Sequence, residues 1–102
     1  MKKDTVPAEC PVRRTLSLIG GKWKMLILYR IGEQTLRYGA IKRLIPDISE
    51  RMLIMELKDL VDSELLIRTS YGEVPPRVDY SLTERGRLTL PLIEQIEKFG
   101  LS

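Results

Sequence analysis

The sequence has no histidine, only one cysteine and no long apolar run. Without histidine, the chain lacks the usual general base of enzymes, the nucleophile pairs built on histidine and most transition-metal sites. One cysteine can form neither a disulfide within the chain nor a cysteine-based zinc site. No apolar segment reaches the roughly 18 residues of a membrane-spanning helix, and residues 1–7 lead into no apolar block typical of a signal peptide. These absences predict a cytoplasmic binding protein that is not an enzyme, uses no metal or cofactor and does not enter a membrane.

What the chain does contain is charge, distributed unevenly. Of its 102 residues, 30% are charged and 43% are hydrophobic, as expected for one globular domain. Residues 10–45 carry eight basic groups and one acidic group, whereas residues 46–102 carry seven basic and eleven acidic groups. Such polarity can attract a polyanion such as nucleic acid to one surface. The alternative is a solvated surface of mixed charge.

Hydrophobic spacing, together with the positions of glycine and proline, predicts five helices and a small amount of β-structure. Pro11 suits the first turn of a helix, Gly20 and Gly21 end that helix, and Pro46 separates two later ones. Pro91 should kink or restart the last helix. The predicted helices are 10–19, 22–31, 38–45, 49–63 and 83–99, and the predicted extended segments are 35–37, 65–71 and 78–82. Residues 1–8 are expected to form a flexible tail ahead of a core at 10–99.

This order of elements predicts the fold class, which is mainly α with a small β-hairpin. The third and fourth helices, joined by a turn of about four residues, have the spacing of a helix-turn-helix. The hairpin that follows holds Pro75 and Pro76 in its loop, which should therefore project as a stiffened wing. We interpret the whole chain, 1–102, as a single winged helix-turn-helix domain with dimerisation helices at its N- and C-terminal ends.

The helix predicted at 49–63 has two different faces. One arc of about 100° holds the apolar residues Leu53, Leu57, Leu60 and Val61, with Ile54 at its margin. The opposite side carries Arg51, Met52, Met55, Lys58, Asp59 and Asp62. A recognition helix enters the major groove of DNA by its N-terminal residues, so we expect Met52 and Met55 to contact thymine methyl groups. The alternative is that these methionines pack against the second helix or a dimer partner.

Further cations should surround that helix. Arg37, Lys42 and Arg43 lie in or beside the third helix, where backbone N–H groups also favour phosphate. Arg77 is expected at the tip of the wing and Arg68 on its first strand. Each charge alone could simply be solvated, as is expected for Lys22 and Lys24, but a shared face favours phosphate binding. The complete predicted DNA-binding set is Arg37, Tyr38, Lys42, Ser49, Arg51, Met52, Met55, Lys58, Arg68 and Arg77.

The two ends of the chain carry apolar stripes at helical spacing. In the last helix the stripe includes Leu88, Leu92, Ile96 and Phe99, and Ile93 widens it. A small domain already has a core from its middle helices, so an extra amphipathic helix needs another cover. We expect Val12, Leu88, Leu92, Ile93, Ile96 and Phe99 to form a dimer interface with the first and last helices of a second copy. The alternative is that the last helix packs on its own domain.

The single cysteine, Cys10, is predicted at a helix N-terminus with Arg13 and Arg14 in the next turn. The helix dipole and the nearby cations both favour thiolate over thiol, which makes the sulfur more reactive. One hypothesis is therefore a redox or electrophile switch at Cys10. The alternative is a buried, inert cysteine that packs the first helix.

Several of these segments resemble the HxlR-type (MarR-related) family of bacterial transcription regulators. The resemblance covers about residues 9–99, and the segments that carry it are Glu9-Cys10-Pro11-Val12, Leu18-Ile19-Gly20-Gly21-Lys22-Trp23-Lys24, Ile48-Ser49-Glu50-Arg51-Met52-Leu53 and Val74-Pro75-Pro76-Arg77-Val78-Asp79-Tyr80-Ser81-Leu82-Thr83. This chain departs from the family at Ile54 and Met55, where members often carry polar residues.

The resemblance implies a homodimeric winged helix protein that binds pseudo-palindromic promoter DNA and regulates nearby genes. It also implies a sensing role for Cys10, because the equivalent cysteine responds to electrophiles or oxidants in some members. It identifies no small-molecule effector. The alternative is a winged helix used for protein–protein assembly without DNA reading, which would show an acidic or neutral outer face on the fourth helix. Arg51 and Lys58 argue against that alternative.

Overall fold

A computed structural model describes the chain from Cys10 to Ser102, and the tail expected at residues 1–8 lies outside this described part. The nine elements of the described part are α1 (Pro11–Ile19), α2 (Lys24–Ile31), β1 (Leu36–Arg37), α3 (Tyr38–Leu44), α4 (Glu50–Asp62), β2 (Leu66–Ser70), β3 (Val78–Leu82), α5 (Glu84–Arg87) and α6 (Thr89–Leu101). Within residues 10–102, none of these helices is long and apolar enough to cross a membrane.

Proline lies at the start of the first helix, and two glycines separate it from the second. Pro11 occupies the first turn of α1, and the Gly20 amide donates to the carbonyl of Leu16 as the helix ends. Gly21 has a φ of +89°, a backbone conformation that favours glycine. Helix α2 then begins at Lys24, two residues later than the predicted start at 22.

The β-structure is one three-stranded antiparallel sheet with the strand order β1-β3-β2. Strand β3 pairs with β2 along its whole length, from Leu66 opposite Leu82 to Ser70 opposite Val78. The short β1 pairs with the other edge of β3, where Leu36 lies opposite Tyr80. The predicted fold class is confirmed, and the predicted short extended segment adds a third strand to the hairpin.

Helices α3 and α4 form the helix-turn-helix, connected by residues 45–49. The Ser49 hydroxyl caps α4 by accepting a hydrogen bond of 3.1 Å from the Met52 amide. At the other end, Glu64 adopts the left-handed conformation with a φ of +61°. The Glu64 and Leu65 amides donate to the carbonyls of Val61 and Leu60, which is the Schellman arrangement that ends many helices.

The helix predicted at 83–99 is divided into α5 and α6. The Thr83 hydroxyl caps α5 by accepting from the Gly86 amide at 2.9 Å. Pro91, in the first turn of α6, has no amide hydrogen with which to continue the preceding helix. A new helix therefore begins at Thr89, as expected. A β-carbon at Gly86 would overlap the carbonyl oxygen of Leu65, and glycine therefore allows α5 to pack closely against the start of β2.

The core lies between α2, α3, α4 and one face of the sheet. Its fully covered side chains include Ile27, Leu28, Ile31, Ile41, Leu53, Leu57, Leu60 and Leu82. This confirms α2 as a central helix and the predicted apolar arc of α4. Ile93 of α6 also belongs to this core and is only 6% exposed. Its assignment to a dimer interface was therefore wrong, because α6 turns this residue towards its own domain.

Candidate nucleic-acid interface

The outer face of α4 is open to solvent over its first three turns. While Leu53, Leu57 and Leu60 fix the inner face in the core, Arg51, Ile54, Met55 and Lys58 all remain exposed on the outer one. The exposed fraction of Ile54 is 57% and that of Met55 is 49%. A helix with this placement can enter the major groove of DNA, which accommodates one α-helix.

Met52 does not share this outer face, and the structure favours the alternative that it packs inside the protein over its predicted contact with thymine methyl groups. Its side chain is half-buried and packs against the core. The reason is the rotation of α4 about its axis. Glu56, one turn after Met52, faces α2 and pairs with Lys24 at 2.9 Å, both side chains being mostly covered. Lys24, which was expected to be solvated, is therefore held in a mostly covered ion pair. On the open face, the apolar residue next to Met55 is Ile54 and not Met52.

Three of the predicted phosphate-binding cations are exposed and free of ion pairs within the described residues. Arg37, at the start of α3, Arg51 and Arg68 each form no ion pair with another residue between 10 and 102. Arg68 lies across a cleft of about 500 Å³ from Lys58, between α4 and the sheet. Lys58 of α4 and Arg68 of the wing strand therefore border the same depression, which Asp62 also lines.

Lys58 and Lys42 each have a partner at the protein surface. Lys58 pairs with Asp62 at 2.9 Å one turn along α4, and this contact raises the pKa of Lys58. Lys42 donates to the carbonyl of Pro46 at 3.1 Å. Solvent-exposed ion pairs contribute little net free energy, so a phosphate group can replace Asp62 as the partner of Lys58.

Arg77 lies at the base of the wing and not at its tip, contrary to the prediction. The Tyr71 amide donates to the Arg77 carbonyl at 3.1 Å, so the pairing of the two strands extends to these residues and the loop proper is 72–76. The Arg77 guanidinium stacks 4.3 Å from the centre of the Tyr71 ring and donates to Asp79 at 3.2 Å. Arg77 thereby holds the pKa of the buried Asp79 carboxyl below its usual value. These contacts hold the arginine side chain against the wing.

Tyr38 is the other predicted phosphate contact that the structure contradicts. Its side chain is half-buried against the core, and its hydroxyl is buried without a hydrogen-bond partner among the described residues. Burial, with the charge of Glu50 second, raises the pKa of Tyr38. The hydroxyl therefore does not face the solvent, where a phosphate group would lie.

A second exposed surface is apolar and lies on α1, α6 and their connections. Val12 is 68% exposed, Leu88 76% and Phe99 81%. Between α1 and α6 runs a groove of about 350 Å³, which is lined mainly by Val12, Leu16, Ile19, Met25, Leu92 and Ile96. Large contiguous apolar patches are uncommon on monomeric proteins and mark interaction sites.

Cys10 lies at the N-cap of α1 and is partly exposed. The backbone N–H groups of Arg13 and Val12, followed by the charge of Arg13, lower the pKa of the thiol. The direction agrees with the prediction from the helix dipole and the neighbouring cations. The described residues contain no group of three acidic or sulfur ligands that could hold a metal ion.

Comparison with known proteins places this geometry in a family. The model of the HxlR-like helix-turn-helix family matches residues 18–102. The HTH-type transcriptional regulator YdzF of Bacillus subtilis, itself uncharacterised, is 47% identical over 95 residues, which cover 92% of this chain and 87% of YdzF.

Solved structures of other proteins are also similar along almost the whole of this chain. A protein of Porphyromonas gingivalis W83, described as a transcriptional regulator of the MarR family, is 50% identical with a TM-score of 0.91 and covers 94% of each chain. The redox regulator HypR in its oxidised form is 41% identical with a TM-score of 0.84, covering 89% of this chain and 94% of HypR. The chain therefore belongs to the HxlR-like helix-turn-helix family, whose curated relatives are transcriptional regulators.

Proposed function

We propose that this chain is a sequence-specific DNA-binding transcription regulator that acts as a homodimer on a pseudo-palindromic promoter site. Helix α4 lies in the major groove, and residues 71–78 of the wing lie on the adjacent backbone or in the minor groove. The observation that carries the proposal is the open outer face of α4, where Arg51 is exposed and free of ion pairs with the described residues. An acidic or neutral face there would instead favour a protein-binding module.

The exposed apolar surface of α1 and α6 supports the homodimer. A second copy related by a two-fold axis would cover Val12, Leu88 and Phe99 with the same residues of its own helices. Such a dimer can place its two recognition helices about 34 Å apart, which is one turn of DNA. The two-fold symmetry of the dimer is the reason why the target is proposed to be pseudo-palindromic.

The position of Cys10 supports a redox or electrophile response of the regulator. Its thiol pKa is lowered, its side chain is partly exposed, and it precedes the helix that is proposed to form part of the dimer interface. The similar structure of HypR belongs to a redox regulator. Oxidation or alkylation at this point would alter the interface that sets the spacing of the two recognition helices.

A selection from random duplex DNA, followed by affinity measurements at several salt concentrations, tests the proposal. Arg68→Ala should weaken binding to all sequences and reduce the slope of log K against log salt by about one unit, because one phosphate contact is lost. The matched control is Arg30→Ala, which removes an exposed cation from α2 and should leave the slope unchanged. Failure to enrich any sequence would contradict the proposal and favour the protein-binding alternative.

A further inference from the structure

The outer face of α4 has an aliphatic centre between two cations. Ile54 and Met55 are adjacent and about half-exposed, whereas their apolar neighbours Leu53 and Leu57 are buried. Arg51 lies one turn before Met55, and Lys58 lies one turn after Ile54. Residues four apart on a helix are surface neighbours, so the four side chains form one continuous patch.

The dimensions of this patch match a short stretch of the major groove. From Arg51 to Lys58 the helix rises roughly 10 Å at 1.5 Å per residue, which corresponds to about three base pairs at 3.4 Å each. The two cations can therefore reach a phosphate or a guanine at either end. The aliphatic pair then faces the edge of the base pair between them.

The chemistry of the groove decides what that edge must be. Isoleucine and methionine side chains donate no hydrogen bond, and the methionine sulfur is only a weak acceptor. The 5-methyl group of thymine is the one methyl group that an unmodified base pair presents in the major groove. Opposite any other base, the pair would cover donors and acceptors without replacing their hydrogen bonds to water.

We infer that Ile54 and Met55 determine specificity by contacting the methyl groups of one or two thymines at the centre of each half-site. This inference rests on the proposed DNA-binding function and names the base feature that α4 reads. The cations favour DNA as the occupant of the patch: Arg51 is exposed and has no ion pair among residues 10–102, and Arg68 borders the adjoining cleft. Lys58, at the other end of the patch, pairs with Asp62 and becomes available when a phosphate replaces that carboxylate. A protein partner would be indicated by the outcomes given below.

The decisive experiment replaces thymine by uracil, which removes only the methyl group. The probe is the duplex recovered with highest affinity from the random library, resynthesised with deoxyuridine at one thymine position at a time. For the unaltered protein we expect a loss of about fourfold per contacted methyl at one or two central positions, and no change elsewhere. Ile54→Ala/Met55→Ala should bind the thymine and uracil duplexes equally.

The matched control is Ile67→Ala. Ile67 is an aliphatic residue of β2 with 47% exposure, comparable to the pair on α4. Strand alternation places it on the opposite face of the sheet from Arg68, which faces the cleft beside α4. This variant should therefore keep the full discrimination between thymine and uracil. If the double variant does not fold, Met55→Ala alone serves in its place, and the uracil scan on the unaltered protein needs no variant.

Each outcome is decisive. Equal binding of all uracil duplexes by the unaltered protein would overturn the inference while leaving sequence-specific binding in place. Discrimination that persists undiminished in the double alanine variant would show that other residues read the methyl groups. If no duplex is enriched at all, the proposed function fails and the patch is better explained by a protein partner.

Discussion

At the scale of single residues, the base of the wing shows how one buried charge can organise a loop. Asp79 is 5% exposed and accepts a hydrogen bond from Arg77, whose guanidinium also stacks on Tyr71. On the other side of β3, Arg37 of β1 lies opposite Asp79. A carboxylate removed from water needs such partners, and they in turn determine where the arginine side chain can lie.

The Asp79 contact makes stability depend on pH in a defined direction. Arg77, with Tyr71 and Arg37 adding to it, lowers the pKa of Asp79 in the folded state relative to the unfolded value of about 3.9. The resulting stabilisation is complete above that value and is lost as pH falls through the lower folded pKa. Asp79→Asn should therefore show a smaller difference in the free energy of unfolding between pH 6 and about pH 3.

Urea unfolding at the two pH values measures this difference. The control is Asp47→Asn, which alters an exposed carboxyl in the turn before α4 and should behave like the unaltered protein. A pH dependence of Asp79→Asn as large as that of the unaltered protein would show that the Asp79–Arg77 pair does not contribute.

Cys10 leads to the second prediction at this scale. Because backbone N–H groups lower its pKa more than any side chain does, alkylation by iodoacetamide at neutral pH should be faster than that of an unstructured cysteine peptide. Arg13→Ala should retain most of this difference, since it removes the charge but keeps the amides. The reaction is followed by mass spectrometry, and Cys10 is the only possible thiol site. A rate equal to that of the peptide would contradict the lowered pKa of the thiol.

In a separate test, Cys10→Ser should abolish any response of DNA binding to diamide.

At the scale of the element, the two ends of α4 differ in how well the sequence suits the backbone. Ser49 is among the best N-cap residues and makes the expected hydrogen bond. Glu64 occupies the left-handed position beyond the C-terminus, where glycine is strongly preferred. Leu65 and Leu60, which accompany the Schellman arrangement, are both buried and hold this conformation in place despite the unsuitable residue.

Glu64→Gly should consequently stabilise the protein. The gain is about 0.5 kcal/mol, because relief of left-handed strain of about 1–2 kcal/mol is partly offset by the extra freedom of glycine in the unfolded chain. Urea unfolding measures this change in the free energy of unfolding. Glu64→Ala is the control, since it removes the carboxylate but keeps the β-carbon, and it should not give this gain. An equal gain in both variants would assign the effect to the negative charge near the helix C-terminus and not to the backbone.

At the scale of the whole molecule, the distribution of apolar side chains distinguishes the two surfaces. The outer face of α4 combines its aliphatic pair with cations, whereas the groove between α1 and α6 is almost entirely apolar. The first composition suits a charged and hydrated groove of DNA. The second suits a protein surface of the same kind, and a second copy of the chain provides one.

Phe99→Glu should shift this assembly from dimer to monomer. The side chain is 81% exposed in the single chain, so the substitution leaves the core intact but places a charge in the proposed interface, where burial without a partner is costly. Sedimentation velocity at micromolar concentration measures the change. The control is Val74→Glu, which charges an apolar residue of the wing that is 97% exposed. A monomeric unaltered protein, or a dimer that tolerates Phe99→Glu, would contradict the proposed interface.

Local patterns in the sequence were sufficient for most of the fold. Hydrophobic periodicity and the residues that begin or end helices located the helices and strands. Residues such as Pro11, Gly21, Ser49 and Pro91 act through their own backbone geometry and need no distant partner. The apolar arc of α4 was equally predictable, since helical geometry sets which residues share a face. The lowered pKa of Cys10 follows from the same kind of local geometry.

Only tertiary packing decided whether a residue at the edge of a helix face is buried or exposed. Met52 and Ile54 flank Leu53 symmetrically on a helical wheel, and the packing of α4 in the structure, which includes the contact between Lys24 and Glu56, leaves Met52 partly buried and Ile54 outside. The same holds for Ile93, which α6 turns into its own core, and for the inward hydroxyl of Tyr38. Periodicity defines angles within one helix, but the rotation of that helix against its neighbours depends on contacts between residues far apart in the chain.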